Sequence, residues 1–86
     1  MKDLEKKLKA LANLRRLAIL IFLKARQEAN VQSISEHLDL SLKATSRHLK
    51  VLFLSGVVEK DQRNTNVYYR LTPNSLYTIK IFIDRL

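Results

Sequence analysis

The sequence contains no cysteine, no tryptophan, one glycine and one proline. Without cysteine the chain can form no disulfide, no thiolate metal site and no cysteine nucleophile. The longest apolar run, Leu17–Leu23, has seven residues, whereas a helix that spans a bilayer needs about 20. The N-terminal segment MKDLEKKLKAL mixes acidic with basic residues and has no signal-peptide core, so we expect a cytoplasmic protein.

Acidic residues are also scarce. The chain has 16 lysines and arginines against eight aspartates and glutamates, a formal net charge of +8, and no acidic residue between Asp39 and Glu59. This balance favours nucleic acid or another anionic surface as the partner. With 86 residues we expect one domain over residues 1–86, with a single core of modest stability that oligomerisation would support.

Hydrophobic periodicity predicts three helices in the first half of the chain. The first covers about 2–11 with one stripe of leucines, and the second runs from Leu14 to about Ala25 behind an Asn13 cap. The second is apolar on almost every side, so we expect it to be buried on several sides. Ser33 and Glu36 have the spacing of a capping box, which predicts the start of a short third helix at Ser33.

A fourth helix is predicted from Ser41, as its N-cap, to Gly56, as the left-handed residue after its end. Its expected core side consists of Thr45, Leu49, Leu52 and Phe53. The opposite, basic and short-polar side carries Lys43, Ser46, Arg47 and Lys50, with Ala44 and His48 beside it. We expect these residues, together with Ser41 and Leu42 at the start of the helix, to form the nucleic-acid-binding surface. Because only three residues separate the third and fourth helices, the two form a helix-turn-helix whose second helix suits phosphates and base edges.

A β-hairpin and a last helix are predicted after Gly56. The β-branched and aromatic runs 57–60 and 67–71 flank the loop 61–66, where Asn64 and Asn66 are best suited to positive φ. This hairpin would be a two-stranded wing whose Lys60, Arg63 and Arg70 meet the DNA backbone. Thr72 as cap and Pro73 as first residue predict the last helix over about 73–86. Its apolar side chains exceed what one small core covers, which favours a partner surface formed by Leu76, Ile79, Phe82, Ile83 and Leu86.

The chain resembles the ArsR/SmtB family of bacterial and archaeal winged-helix transcriptional regulators. The resemblance rests on ALANLRRLAIL in the second helix, VQSISEHLDLSLKATSRHLKVLFLSGVVE in the helix-turn-helix and VYYRL in the returning wing strand. It implies a mostly α (α+β) winged helix-turn-helix fold with about five helices. The chain departs from the family's usual residues at Leu42, Leu14 and the wing tip, Asn64 and Thr65.

The resemblance also implies an assembly and a set of contacts. It implies a homodimer joined by the first and last helices, about 2–11 and 73–86, with Leu4 and Leu8 contributed by the first. It implies that each fourth helix enters a major groove through Leu42, Lys43, Ser46, Arg47 and His48. It implies wing contacts at Arg63, Asn64 and Thr65.

The candidate ligand and catalytic residues do not form a complete site in the sequence. Positions where the family's metal sensors place cysteine hold Asn30 and Gln32 here, and the last helix has Asp84 but no histidine. Because Ser46 and His48 lie on different sides of one helix, they do not form a nucleophile and base pair. We therefore expect no metal, no cofactor, no enzymatic activity and no membrane association.

The resulting hypothesis is a cytoplasmic, bacterial or archaeal homodimer that binds double-stranded DNA in a sequence-specific way and represses transcription at an inverted-repeat operator. The alternative is a winged helix that acts as a protein–protein interaction module. In that case the basic side of the fourth helix would dock an acidic partner, and the hydrophobic last helix would be the principal contact. DNA binding would then be weak and nonspecific.

Overall fold

The protein is represented by a computed structural model that describes residues 2–74 and residue 77. In chain order, the described elements are α1 (Lys2–Leu11), α2 (Leu14–Arg26), β1 (Ala29–Asn30), α3 (Val31–Leu38), α4 (Leu42–Leu54), β2 (Val58–Arg63) and β3 (Asn66–Leu71). The three strands form an antiparallel sheet in the order β1-β3-β2. Within residues 2–74 and 77, no helix combines the length and the apolar character that crossing a membrane requires.

The core lies where α2, α3 and α4 meet the sheet. Its largest fully buried side chains are Ile19, Leu23, Ile34, Thr45, Leu49, Leu52, Val57 and Val58. The partly buried side chains packed against the core include Leu11, Val31, Leu38, Tyr69 and Leu71. The helix-turn-helix α3–α4 and the β2–β3 hairpin therefore share one core, and together they make a winged helix.

The turn between α3 and α4 is closed by backbone hydrogen bonds. Asp39 adopts a left-handed conformation with φ 53°, and the Leu40 N–H donates to the Ser35 carbonyl over 3.0 Å. The Ser41 hydroxyl then accepts the Ala44 N–H at 3.0 Å, which confirms Ser41 as the N-cap of α4. Gly56 has φ 80°, as expected for the residue that ends the helical segment.

The predicted capping box at the start of α3 is wrong. The helix begins two residues earlier, at Val31, because the Asn30 side chain accepts the Ser33 N–H at 2.8 Å. Asparagine is as good an N-cap as serine, and Asn30 is also held in the sheet opposite Tyr68. Glu36 is consequently free to accept a hydrogen bond from Gln32 within the helix, at 3.2 Å.

Two predictions of burial are also wrong. The second helix is not buried on several sides, since Leu14 is 84% exposed and Ile21 is 70% exposed. Phe53 of α4 is exposed rather than part of the core, and the Lys60 ammonium lies 4.4 Å from the centre of its ring. Among the described residues, α2 packs on α1, α3, α4 and β3, and these elements leave Leu14 and Ile21 uncovered.

The wing differs from the predicted two-stranded hairpin. Its strands are longer, since β2 continues to Arg63 and β3 starts at Asn66, so Asn64 and Thr65 alone form the turn. Asn64 has φ 56°, the conformation expected of asparagine there. The unpredicted β1 adds a third strand by pairing Ala29 with Tyr69. Two residues are too short for β1 to be recognised from alternation.

The last predicted helix falls mainly outside the described residues. Pro73 and Asn74 form a turn in which Asn74 has φ 68°, so the predicted helix start at Pro73 is wrong. A left-handed residue directly after the proline cannot continue a right-handed helix. The predicted interface residues Leu76, Ile79, Phe82, Ile83 and Leu86 all lie outside the described residues.

Replacing the cap of α4 should destabilise the domain. We expect Ser41→Ala to lower the free energy of unfolding by ~1 kcal/mol, because the Ala44 N–H would lose its acceptor. Ser46→Ala is the matched control: Ser46 is exposed inside the same helix, and its loss should change stability by less than about 0.5 kcal/mol. Urea unfolding measures both. Equal midpoints for the two variants would contradict the capping role.

Candidate nucleic-acid interface

The orientation of α4 is set by its buried residues. Thr45, Leu49 and Leu52 are completely buried and recur every three or four residues, which turns one side of the helix to the core. The exposed side chains near its start and middle are Leu42, Lys43, Ser46, Arg47 and Lys50. The helix contains no acidic residue. It therefore presents three cations and a hydroxyl on one fixed surface, an arrangement that suits an anionic partner.

Ser41 and Ala44 were predicted to lie at this surface. The hydrogen bonds observed for these two residues cap the start of the helix. The Ser41 hydroxyl is occupied by the Ala44 N–H, and the Ser41 carbonyl accepts the Thr45 hydroxyl at 2.9 Å. Ala44 is half-buried. These bonds fix the first turn, which carries Leu42 and Lys43.

His48 lies at the edge of this surface. It is half-buried, and its burial is the main cause that lowers its pKa below the usual value, with further lowering by the positive charges of Arg16 and Arg15. Arg16 itself donates to the Ala10 carbonyl at 3.3 Å. Burial and the two arginines of α2 therefore disfavour protonation of the histidine. The proximity of these arginines was not visible in the sequence.

The wing carries its arginines in ion pairs. Arg63 forms a two-point pair with Glu28, with the shorter nitrogen–oxygen distance 2.7 Å, and also contacts Asp61 at 2.9 Å. Arg70 bonds Glu59 at 2.7 Å. Hydrogen bonds to these carboxylates raise the pKa of both guanidinium groups, with Glu28 the largest cause for Arg63 and Glu59 for Arg70.

The remaining predicted wing residues differ in their surroundings. Lys60 lies over the exposed ring of Phe53, so its position is tied to the end of α4. Asn64 and Thr65 are exposed at the tip of the wing. The structure thus leaves the tip open to a partner, while the charge of the wing strands is largely compensated.

A cleft joins the start of α4 to the wing. It has a volume of about 340 Å³, and Leu42 and Ser46 of α4 face Thr65 and Val67 of the wing across it. The lining is completed by Asn30, Val31 and Gln32 at the start of α3 and by Asn66 of β3. The fold therefore brings the beginning of α4 and the wing tip onto one continuous surface.

The ion pairs between the wing arginines and acidic residues were not predicted from the sequence. Glu59, Asp61 and Arg63 alternate along β2, so a period of two places them on one side of the strand. The register, in which Glu59 lies opposite Arg70, is what makes them a network. That register could not be read while the turn was taken as six residues long.

Among residues 2–74 and 77, no group of three or more His, Cys, Asp or Glu side chains is arranged to hold a metal ion. His37 packs against the Phe22 ring, with the ring centres 4.4 Å apart.

Comparison with known proteins identifies the family. The sequence profile described as "Bacterial regulatory protein, arsR family" matches residues 13–60, more than half of the chain and the whole helix-turn-helix. The chain belongs to the ArsR family. It is 37% identical over 79 residues to the transcriptional activator HlyU of Vibrio cholerae serotype O1, which covers 92% of this chain and 72% of HlyU.

Solved structures of ArsR-family and related regulators agree with the fold. The homodimeric winged helix-turn-helix DNA-binding domain Mb0332 from Mycobacterium bovis, described as a possible ArsR-family transcriptional regulator, is 31% identical with a TM-score of 0.82. The match covers 96% of this chain and 76% of that one. HlyU from Vibrio cholerae N16961 is 33% identical with a TM-score of 0.81, covering 98% and 90% of the two chains.

These findings confirm the predicted family and the winged helix-turn-helix fold. The chain is an ArsR-family transcriptional regulator with a winged helix-turn-helix DNA-binding domain, and it is not an enzyme. The individual DNA contacts and the dimer interface stay predictions.

The lowered pKa of His48 predicts how the folding stability depends on pH. Because burial and the two arginines lower its pKa in the folded state, the unfolded chain takes up a proton first as the pH falls through about 6.5. Folding stability should therefore decrease from pH 7.5 to pH 5.5, and this decrease should be smaller in His48→Gln. Urea unfolding at the two pH values measures it. Identical decreases in both proteins would show that His48 is not held neutral.

Proposed function

We propose that the chain is a sequence-specific, double-stranded-DNA-binding repressor that acts as a homodimer on an inverted-repeat operator. The observation that carries the proposal is the exposed side of α4, where Lys43, Arg47 and Lys50 project without any carboxylate on the helix. A helix of this kind fits the major groove, which admits an α-helix and displays a distinct pattern for each base pair.

The exposed residues of α4 have different parts in the proposal. Arg47 is placed to contact guanine, because its guanidinium can donate two hydrogen bonds to O6 and N7. Lys43 and Lys50 contact phosphates and add affinity without sequence preference. Ser46 lies on the same side of the helix and can bond a base edge.

The wing contributes less charge than its sequence suggests. Arg63 is paired with Glu28 and Asp61, so a phosphate would have to compete with two carboxylates for it. We therefore assign the wing's DNA contact chiefly to the exposed tip, Asn64 and Thr65, with Lys60 beside α4. We assign His48, half-buried at the edge of the exposed side of α4, a contact at the groove edge.

The proposed dimer uses the first helix and the region 73–86. Within α1, Leu8 is 37% exposed and Leu4 is half-buried, so both have apolar surface left for a partner. Mb0332, which has the same fold, is a homodimer. A dimer that holds two half-sites gains affinity because the second contact becomes intramolecular.

Repression, location and regulation are further parts of the proposal. Repression requires only that the bound dimer occupies a promoter, although the relative HlyU is named an activator. Location in the cytoplasm and the absence of metal control stay predictions. The absence of cysteine supports the prediction that metals exert no control, because thiolate sites are excluded throughout the sequence.

One observation favours the alternative, a protein–protein interaction module. Leu14, Leu17 and Ile21 form an exposed apolar stripe on the outward side of α2. Stripes of this kind on small domains often mark protein contacts. In that case DNA binding would be nonspecific, and no duplex would be preferred over random DNA at physiological salt.

Selection of bound duplexes from a random pool tests the proposal. We expect an inverted repeat with half-sites about one helical turn apart, ~34–36 Å. On the selected operator, Arg47→Ala should cost ~1–3 kcal/mol and relax one position of each half-site. Lys50→Ala, the matched control on the same helix, should weaken all sequences alike and lower the salt slope by about 1.

Selected sites without two-fold symmetry would contradict the dimer geometry. A pool without any enriched sequence would contradict sequence-specific binding and favour the protein–protein alternative. Loss of affinity for operator and random DNA to the same extent in Arg47→Ala would reassign Arg47 to a phosphate.

A further inference from the structure

Leu42 is an apolar residue on an otherwise polar surface. It is the first residue of α4 and is 56% exposed. Its exposed neighbours along the helix, Lys43 and Ser46, are a cation and a hydroxyl. The side chain is not among the apolar residues that pack against the core. Packing inside this domain therefore does not account for a leucine here.

The position of Leu42 is fixed by the cap that precedes it. Ser41 caps the helix through the Ala44 N–H, and the buried Thr45 anchors the first turn from the core side. Leu42 and Ser46 lie one turn apart and both line the cleft shared with Thr65 of the wing. The leucine thus projects from a rigid helix start, on the side of α4 that faces the wing.

The chemistry of the major groove limits what such a side chain can contact. Guanine O6 and N7, adenine N7 and N6, and cytosine N4 are all hydrogen-bonding groups, whereas thymine also presents its C5 methyl group. A leucine pressed against the polar groups would leave them without partners, which is unfavourable. Against a methyl group it gains buried apolar surface.

We propose that Leu42 recognises a thymine in each operator half-site by packing against the thymine C5 methyl group. The inference rests on the proposed function, because it requires α4 to lie in the major groove. It assigns the specificity at that base pair to an apolar contact, separate from the hydrogen bonds of Arg47 and Ser46.

Replacing thymine by uracil in the selected operator tests this assignment. The replacement removes only the methyl group and leaves every hydrogen-bonding group of the base pair unchanged. At one thymine of each half-site we expect about fourfold weaker binding, which corresponds to the ~0.8 kcal/mol of one buried methylene-sized group. Changing both half-sites should weaken the dimer about 15-fold, and the remaining thymines should have effects below about twofold.

Leu42→Ala connects the effect to the protein. The variant should bind the thymine operator no better than the original protein binds the uracil operator, and its own thymine-to-uracil difference should fall below about twofold. Leu54→Ala is the matched control, since Leu54 is 67% exposed on the same helix but 12 residues further along, ~18 Å away. It should keep the full difference.

Several results would overturn the inference. An operator in which no thymine-to-uracil change weakens binding by more than about twofold would refute it while leaving the proposed function intact. Retention of the full difference by Leu42→Ala would assign the methyl contact to another residue. If no operator is enriched at all, the proposed function fails and this inference fails with it.

Discussion

The packing of Thr45, Leu49 and Leu52 against the core fixes the orientation of α4 and of the surface that α4 exposes. These three residues are fully buried, and α4 packs on both α2 and α3, so the helix cannot rotate about its axis. The exposed side, from Leu42 to Lys50, then has one orientation relative to the wing. A surface fixed in this way can match the groups of a DNA groove without ordering itself on binding, which lowers the entropic cost of association.

The distribution of charge separates the two parts of the proposed DNA interface. The +8 net charge suggests cations everywhere, yet Arg63 and Arg70 in the wing are paired with carboxylates of β2 and of the segment before β1. The cations of α4 lie on a helix that contains no carboxylate. Exposed ion pairs contribute little stability, typically below about 1 kcal/mol. Their larger effect here is on the distribution of charge, because they compensate the wing arginines and leave the uncompensated cations on α4.

The sequence predicted most of the elements and the exposed side of α4, because hydrophobic periodicity and capping residues are local signals. Ser41 and Gly56 bounded α4 as expected. Features that depend on contacts distant in sequence were missed, such as β1, whose two residues form a strand only because Tyr69 and Tyr68 pair with them. The outward side of α2 was misjudged because a helix with apolar residues on most sides looks the same in sequence whether one side or several sides are covered. The Glu28–Arg63 pair, 35 residues apart, required the fold.

The central claim is that the exposed side of α4 enters the major groove, and methylation interference on the selected operator tests it most directly. Dimethyl sulfate modifies guanine N7 in the major groove and adenine N3 in the minor groove, so one reaction reports on protein contacts in both grooves. We expect guanine methylation within each half-site to abolish binding. In Arg47→Ala, methylation of the guanine assigned to Arg47 should have a weaker effect. Interference confined to adenine N3, with guanine methylation tolerated, would place the protein in the minor groove and contradict the account.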